Sequence, residues 1–193
     1  GEFELVRKKI AHAVADCYAI ESATQHLANG LDGNEFDCEI EAAMVKVFAS
    51  EKNWRIVNDC LQIWGGSGVF TDQPFERLVR DARVNLIGDC ANDVLRGFIS
   101  LVGFRHLSKG LSADEAGWVK RLGVMTESLT NPTVTIKHDH MTFFARGLAK
   151  QIGQFSWQMK MAISNHKSKV YGQQYAQGRL ADLAIELFVA SCV

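Results

Sequence analysis

Only two prolines, Pro74 and Pro132, occur in the 193 residues of this chain. Proline breaks a helix because it lacks a backbone donor and its ring clashes with the preceding turn. Long proline-free stretches with apolar residues every three or four positions therefore predict helices. No strand-like alternation competes with these runs. The sequence predicts an all-α fold, an up-and-down helical bundle followed by further helices.

The apolar pattern predicts four helical runs in the first half of the chain. The first covers residues 4–29 and is ended by Gly30 and the letters LDGNEFD, residues 31–37. The second begins after Asp37, a favourable N-cap, and stops at the Gly65–Gly66 pair. The third begins at Pro74, and the fourth follows the letters IGDCAN. The apolar stripe of the first run comprises Leu5, Val6, Ile10, Val14, Cys17, Ile20, Ala23 and Leu27.

The second half of the chain is predicted to add two helices after a stretch with little periodicity. These helices cover roughly residues 138–168 and 173–191. We therefore divide the chain into a helical bundle, 1–109, a connector, 110–137, and an extra C-terminal helical region, 138–193.

Composition and charge exclude several classes of protein. The net charge is −1 and there is no basic stripe, so no nucleic-acid partner is expected. No apolar run reaches the roughly 18 to 20 residues of a membrane span. The connector has a single Trp118 and few apolar residues, which predicts at most weak membrane association. Five cysteines without a CxxC spacing indicate reduced thiols and a cytosolic or matrix-like compartment.

One stretch, DCLQIWGGSGVFTDQPFERLVRDARVNLIGDCANDVLR, carries several fixed spacings at once. It resembles the C-terminal signature of acyl-CoA dehydrogenases, and the upstream letters IEAAMVKVFASE also look like this family. Residues 138–193 resemble the extra C-terminal region of the very-long-chain branch and of its mitochondrial paralogue in respiratory complex I assembly. The residues that carry the signature are Gln62, Ile63, Gly65, Gly66, Gly68, Glu76, Arg77, Arg80, Asp81 and Arg83.

This resemblance implies a flavoprotein with an N-terminal helical domain, a middle β-domain and a C-terminal four-helix bundle. The chain is then expected to be a fragment that begins inside the bundle and stops within the extra region at Val193. Most of the flavin and acyl-CoA sites would lie outside it, so the fragment alone is expected to be inactive. The resemblance also implies a mitochondrial protein, in the matrix or on the matrix face of the inner membrane, and a homodimer.

The resemblance assigns FAD-binding positions to Gln62, Gly65, Gly66, Asn92 and Asp93. Glycine allows a close approach to the backbone, whose N–H groups can donate to a phosphate. From the residues alone, the glycine pair is equally a helix stop. Asn92 and Asp93 are also suited to the first turn of a helix.

Asp89 stands where the resemblance places the glutamate that removes the α-proton of the acyl-CoA thioester. Cys90 and Ala91 stand where the family has glycine and threonine. Aspartate is shorter than glutamate by one C–C bond, about 1.5 Å. A misplacement of about 1 Å can cost on the order of 100-fold in rate. The alternative interpretation of Asp89 is an N-cap for the helix that follows.

Three other groups of side chains are weaker candidates. Cys90 has no histidine or cation next to it in sequence, so a nucleophilic role is not favoured. His138 and His140 are two positions apart and point to different sides of a helix, so no metal site is predicted. The charged residues of the third helix favour an ion-pair network between helices or subunits; they are Arg77, Arg80, Asp81 and Arg83.

Two functions follow as hypotheses. The altered Asp89-Cys90-Ala91 loop and the extra region favour a scaffold that partners a respiratory complex I assembly factor. The retained flavin positions favour part of an active, FAD-dependent long-chain acyl-CoA dehydrogenase of fatty-acid β-oxidation. A helical bundle without any retained ligand is the third alternative.

Overall fold

The computed structural model describes residues 2–33, 38–111, 132–134, 136 and 139–193. Helices, linked by turns, make up the secondary structure of these residues, and none of them lies in a strand. The predicted all-α class is therefore confirmed. Most of the predicted connector, including Trp118, lies outside the described residues.

Two compact units divide the chain. Unit 1 comprises Gly1–Leu95 together with Cys192–Val193, and unit 2 comprises Arg96–Ser191. The division falls within one helix, at a different place from the boundaries predicted at residues 109 and 137. Those domain boundaries stay a prediction.

Unit 1 is built around its second helix. It contains α1 (Glu4–Gly33), α2 (Glu39–Trp64), α3 (Phe75–Asn85) and the first turn of α4 (Asn92–Leu111). Helix α2 packs against both α1 and α3. Its buried side chains are Ala43, Val45, Val47, Phe48 and Ser50.

The contact between α1 and α2 differs from the apolar stripe that the sequence suggests. Leu5, Ile10 and Val14 of the stripe are exposed, whereas Ala23 of the stripe and Asp16, which lies outside it, are buried. Two ion pairs cross this contact, from Lys9 to Asp59 and from Arg55 to Asp16. Apolar periodicity identifies a helix but does not tell which part of a wide apolar band faces the neighbouring helix.

The ends of these helices follow the sequence only in part. Helix α1 continues through the buried Gly30 and ends at Gly33, within the segment 31–37 that the sequence predicts to end it. Cys38, not Asp37, occupies the N-cap of α2 and makes no side-chain cap bond; Asp37 itself lies outside the described residues. The predicted stop of α2 is confirmed, because Gly65 follows Trp64 with a φ of 75°.

Unit 2 has an apolar core. It contains the rest of α4 together with α5 (Thr142–His166) and α6 (Gln174–Cys192), the latter helix continuing one residue into unit 1. Phe104 is 0% exposed and Met159 is 4% exposed, with Phe155, Ile163 and Leu180 packed around them. The two predicted C-terminal helices are therefore present.

Polar contacts also join α4 to α6 inside unit 2. Arg96 Nε donates to Asp182 Oδ1 at 2.7 Å, and the Ser100 hydroxyl donates to the Gln177 carbonyl at 2.5 Å. The Gln177 side chain is buried and donates to the carbonyl of Tyr171 at 2.8 Å. These bonds satisfy polar groups that the apolar core would otherwise leave without partners.

Candidate functional site

The glycine turn after α2 is open at its surface. Residues Gly65–Val69 form a short 3-10 turn, and Gln62, Gly65 and Gly66 are all exposed. A Cβ added at Gly66 would meet no atom of the described residues within 4 Å. Packing among those residues therefore gives no reason for glycine at this position. An exposed backbone without a side chain admits the close approach of another molecule.

Gly68 is different, because its neighbours occupy the space that a side chain would need. A Cβ at Gly68 would lie 3.2 Å from Cβ of Trp64. The Trp64 ring in turn packs against Phe75 of α3, with ring centroids 5.0 Å apart. Gly68 is thus a structural glycine that lets the turn fold back on α2.

Apolar side chains surround the glycine turn and remain accessible. Trp64 is 52% exposed, Val69 62% and Phe70 68%. Their exposure makes a contact with a second subunit or partner sterically available.

A loop between α3 and α4 presents the second part of the site. Gly88 N–H donates to the Val84 carbonyl at 2.7 Å, which extends the end of α3. Asn92 N–H donates to the Leu86 carbonyl at 3.0 Å, which closes the loop. Between these bonds, Asp89 has a φ of 52° and Cys90 a φ of 93°. A left-handed backbone is costly for residues other than glycine, so this loop needs support from its surroundings.

Asp89 is exposed at the tip of this loop. Helix α4 begins at Asn92, and the N–H groups of Val94 and Leu95 donate to the carbonyl of Ala91. Ala91 therefore stands in the N-cap position, and the alternative role of Asp89 as helix cap is not supported. Within the described part of the chain, no hydrogen bond or ion pair engages the Asp89 carboxylate.

Asn92 fixes the start of α4 on α2. Its side chain is buried, and Nδ2 donates to the Ser50 hydroxyl at 2.9 Å and to Glu51 Oε1 at 3.2 Å. Its Oδ1 accepts from Lys46 Nζ at 2.8 Å. Because the amide is committed to α2, contact of Asn92 with a cofactor stays a prediction. Asp93 is exposed in the first turn of α4.

The charged residues of α3 pair along their own helix. Arg80 Nε donates to Glu76 at 3.0 Å, and Arg77 lies 3.5 Å from Asp81. The hydrogen bond from Arg80 to Glu76 raises the pKa of the Arg80 guanidinium above its ordinary value. Within this chain, Arg77 and Arg80 thus form pairs one turn apart in α3 and not a network between helices; a network between subunits stays a prediction.

Arg83 makes the contact that does reach another helix. Its guanidinium lies 6.0 Å from the ring centroid of Trp54 on α2. This distance is at the outer limit of a cation–π contact, so its contribution to stability is small.

No group of three metal-ligating side chains occurs among the described residues. His140 lies in the 3-10 turn Asp139–Met141, and His138 is outside the described residues. The five cysteines form no disulfide, and Cys17 and Cys90 are exposed. None of the helices in the described part of the chain combines the length and apolar run that a membrane span requires.

Lys46 is the residue of this site that sequence reasoning missed. Its ammonium reaches the loop and donates to the carbonyl of Cys90 at 2.8 Å. One signal could have identified it: Lys46 and Ser50 are polar residues four positions apart on an otherwise apolar part of α2. That spacing places both on one face of the helix.

Comparison with known proteins places this geometry in context. Residues 1–102 match the family model described as acyl-CoA dehydrogenase, C-terminal domain. The mouse very long-chain specific acyl-CoA dehydrogenase, a protein described as mitochondrial, is 30% identical over 203 residues, covering 96% of this chain and 31% of the relative. An acyl-CoA dehydrogenase of Bacillus subtilis is 38% identical over 94 residues, covering 47% of this chain and 25% of the relative.

A solved structure shows the same fold. The crystal structure of an acyl-CoA dehydrogenase complexed with FAD from Bacillus anthracis superposes with a TM-score of 0.80 at 21% identity. The match covers 97% of this chain and 34% of that chain. The chain thus spans about a third of the length of the proteins it resembles.

Proposed function

Because this chain belongs to the acyl-CoA dehydrogenase family, we propose that the full-length protein is an FAD-dependent dehydrogenase of long-chain acyl-CoA thioesters. This proposal rests on the accessibility of the Asp89 carboxylate. It is exposed, makes no bond within the described residues, and lies on a loop tied to α2. A general base needs this accessibility and this support.

In the proposed reaction Asp89 removes the α-proton of the thioester. FAD held at the glycine turn would supply the acceptor for the hydride that leaves the β-carbon, and a 2-enoyl thioester would result. The Asp89 carboxylate then holds the proton until it is passed to solvent. Asp89 is shorter than glutamate by about 1.5 Å. We therefore expect a slow proton transfer rather than none.

The residues present fit a flavin at the glycine turn. Gln62 is exposed at the end of α2, and the backbone of Gly66 is open to a neighbouring group. The Gln62 amide and the exposed backbone of Gly66 would hold FAD, and Asp93 would lie on the flavin side of α4. Gly65, whose N–H donates to the Leu61 carbonyl, would contribute the open, left-handed turn rather than a donor. Asn92 would act by fixing the first turn of α4.

The proposal includes a homodimer and a mitochondrial location. The exposed Trp64, Val69 and Phe70 beside the glycine turn support a contact with a second subunit. The mitochondrial location is proposed because the mouse relative, covering 96% of this chain, carries that description. The isolated 193-residue chain is expected to show no turnover, because it spans about a third of its relatives.

Flavin bleaching in the full-length protein tests this function. Under anaerobic conditions, a long-chain acyl-CoA should bleach the flavin of the wild-type protein. The Asp89→Asn variant should retain its flavin but lose the bleaching, because the amide cannot accept the proton. A purified protein without flavin, or an Asp89→Asn variant that bleaches at the wild-type rate, would contradict the proposal.

A second candidate is a scaffold that binds a respiratory complex I assembly factor. The observation that favours it is the strained Cys90, at a φ of 93°, next to a shortened base. Affinity purification from mitochondria of the full-length protein, beside its Asp89→Asn variant, tests it. Equal recovery of an assembly factor with both would support this function, and recovery of none with either would reject it.

A further inference from the structure

Lys46 makes two contacts that bracket Ala91. Its Nζ donates to the Cys90 carbonyl at 2.8 Å and to Asn92 Oδ1 at 2.8 Å. One ammonium on α2 thus holds the backbone just before α4 and the side chain that begins α4. Bonds from a charged donor are stronger than those between neutral groups.

The loop offers few other restraints at its tip. The bond from Asn92 N–H to the Leu86 carbonyl closes its ends, at 3.0 Å. Among the described residues, the bond from Lys46 to the Cys90 carbonyl is the contact that reaches the left-handed pair itself. Without it, the pair would have to hold a backbone conformation that neither side chain favours.

The position of Lys46 is itself fixed by the packing of α2. Val45, Val47 and Phe48 on either side of it are buried, so its backbone has little freedom. Ser50 lies one turn further along α2 and also bonds to Asn92. The loop is therefore supported by the most enclosed helix of unit 1.

We infer that Lys46 is a positioning residue for proton abstraction. Its ammonium holds the Cys90 carbonyl and Asn92, and this fixes the left-handed turn that presents the Asp89 carboxylate. The inference rests on the proposed role of Asp89 as base. Lys46 touches neither the thioester nor the flavin in this account and acts only through the loop.

Two variants of the full-length protein test this inference. Lys46→Met keeps an unbranched side chain, one atom shorter, and removes both hydrogen bonds. Lys46→Arg keeps a cationic donor at the same place and should restore the loop in part. Lys150→Met is the matched control, because Lys150 is an exposed lysine on helix α5.

Hydrogen exchange is the readout that does not depend on activity. In Lys46→Met, residues 86–92 should exchange about tenfold faster or more, since two charge-assisted hydrogen bonds are lost. In Lys46→Arg the change should be smaller, and in Lys150→Met it should be absent. Exchange of this loop within twofold of wild type in Lys46→Met would overturn the inference, whether or not the protein binds flavin.

Flavin bleaching by a long-chain acyl-CoA adds the test of catalysis. The maximal bleaching rate of Lys46→Met should fall about tenfold or more, as expected for a displaced base. The acyl-CoA concentration at half-maximal rate should stay unchanged, because Lys46 does not bind the thioester. A rise in that concentration at an unchanged maximal rate would overturn the inference. If the wild-type protein does not bleach, the proposed enzyme function fails, and the exchange experiment still decides whether Lys46 holds the loop.

Discussion

Units 1 and 2 are both helical, and each combines buried apolar side chains with polar contacts between helices, but the polar contacts of unit 1 also hold the candidate loop. Polar contacts link helices in unit 1: the Arg55–Asp16 pair between α1 and α2, and Asn92 between α4 and α2. In unit 2 the fully buried Phe104 and Met159 form an apolar core. Directional bonds fix geometry, whereas apolar burial fixes mainly volume. The candidate site lies in unit 1, where the geometry of a loop has to be fixed.

The largest effect is expected from emptying the core of unit 2. Phe104→Ala removes a side chain that is 0% exposed and should destabilise this unit by about 3–5 kcal/mol. Phe143→Ala, at a side chain that is 80% exposed, is the matched control and should change little. Chemical denaturation followed by peptide-resolved hydrogen exchange measures both. Equal losses of stability in the two variants would contradict the claim that the buried Phe104 stabilises unit 2.

A smaller but still large effect is expected from the polar cluster of unit 1. Asn92→Ala leaves Lys46, Ser50 and Glu51 without their shared partner and should cost about 2–3 kcal/mol. Asn85→Ala, at the exposed end of α3, serves as control. Thermal unfolding with exchange of residues 86–92 reports the change. If Asn92→Ala were as mild as its control, directional bonds would not be what holds this loop.

Cys90→Gly is expected to stabilise unit 1. Cys90 has a φ of 93°, which glycine adopts without the penalty of a Cβ. The gain should be about 1 kcal/mol, after the greater freedom of glycine in the unfolded chain is subtracted. Cys17→Gly in the middle of α1 should instead destabilise, because glycine is a poor helix residue. If denaturant unfolding showed that both substitutions change the free energy of unfolding in the same direction, the loop would not be strained at Cys90.

The smallest effects concern ion pairs. Asp182→Asn weakens the bond from the largely buried Arg96 and should cost about 0.5–1 kcal/mol in unit 2. Glu76→Gln breaks an exposed pair within α3 and should cost less. Added salt should reduce the second effect more than the first. Unfolding of both variants at several salt concentrations measures these losses of stability. A larger loss in Glu76→Gln than in Asp182→Asn would refute this ranking.

Much of the fold was predictable, because long apolar periods without proline leave little choice but helix. The glycine stop after α2 and the break between α3 and α4 were also evident in the sequence. The faces through which the helices pack against each other were not predictable. The buried Asp16 pairs with Arg55 of α2 while Leu5 and Val14 are exposed, and no periodicity reveals which side of a helix a partner will cover.

The residues of the candidate site were predictable, but the contacts that hold them in place were not. The motif identified Asp89 and the glycines by position. It did not reveal that Asp89 and Cys90 are both left-handed, nor that Lys46, 44 positions before Cys90, holds the loop. Contacts between residues so far apart depend on how two helices pack. A single sequence does not specify that packing.

The rate of flavin bleaching in the Asp89→Glu variant tests the central claim most directly. The full-length protein and this variant would be mixed anaerobically with a long-chain acyl-CoA. If Asp89 is a base that falls short by one C–C bond, the glutamate variant should bleach on the order of 100-fold faster. An unchanged or lower rate in a variant that still binds flavin would contradict the role of Asp89 as the base.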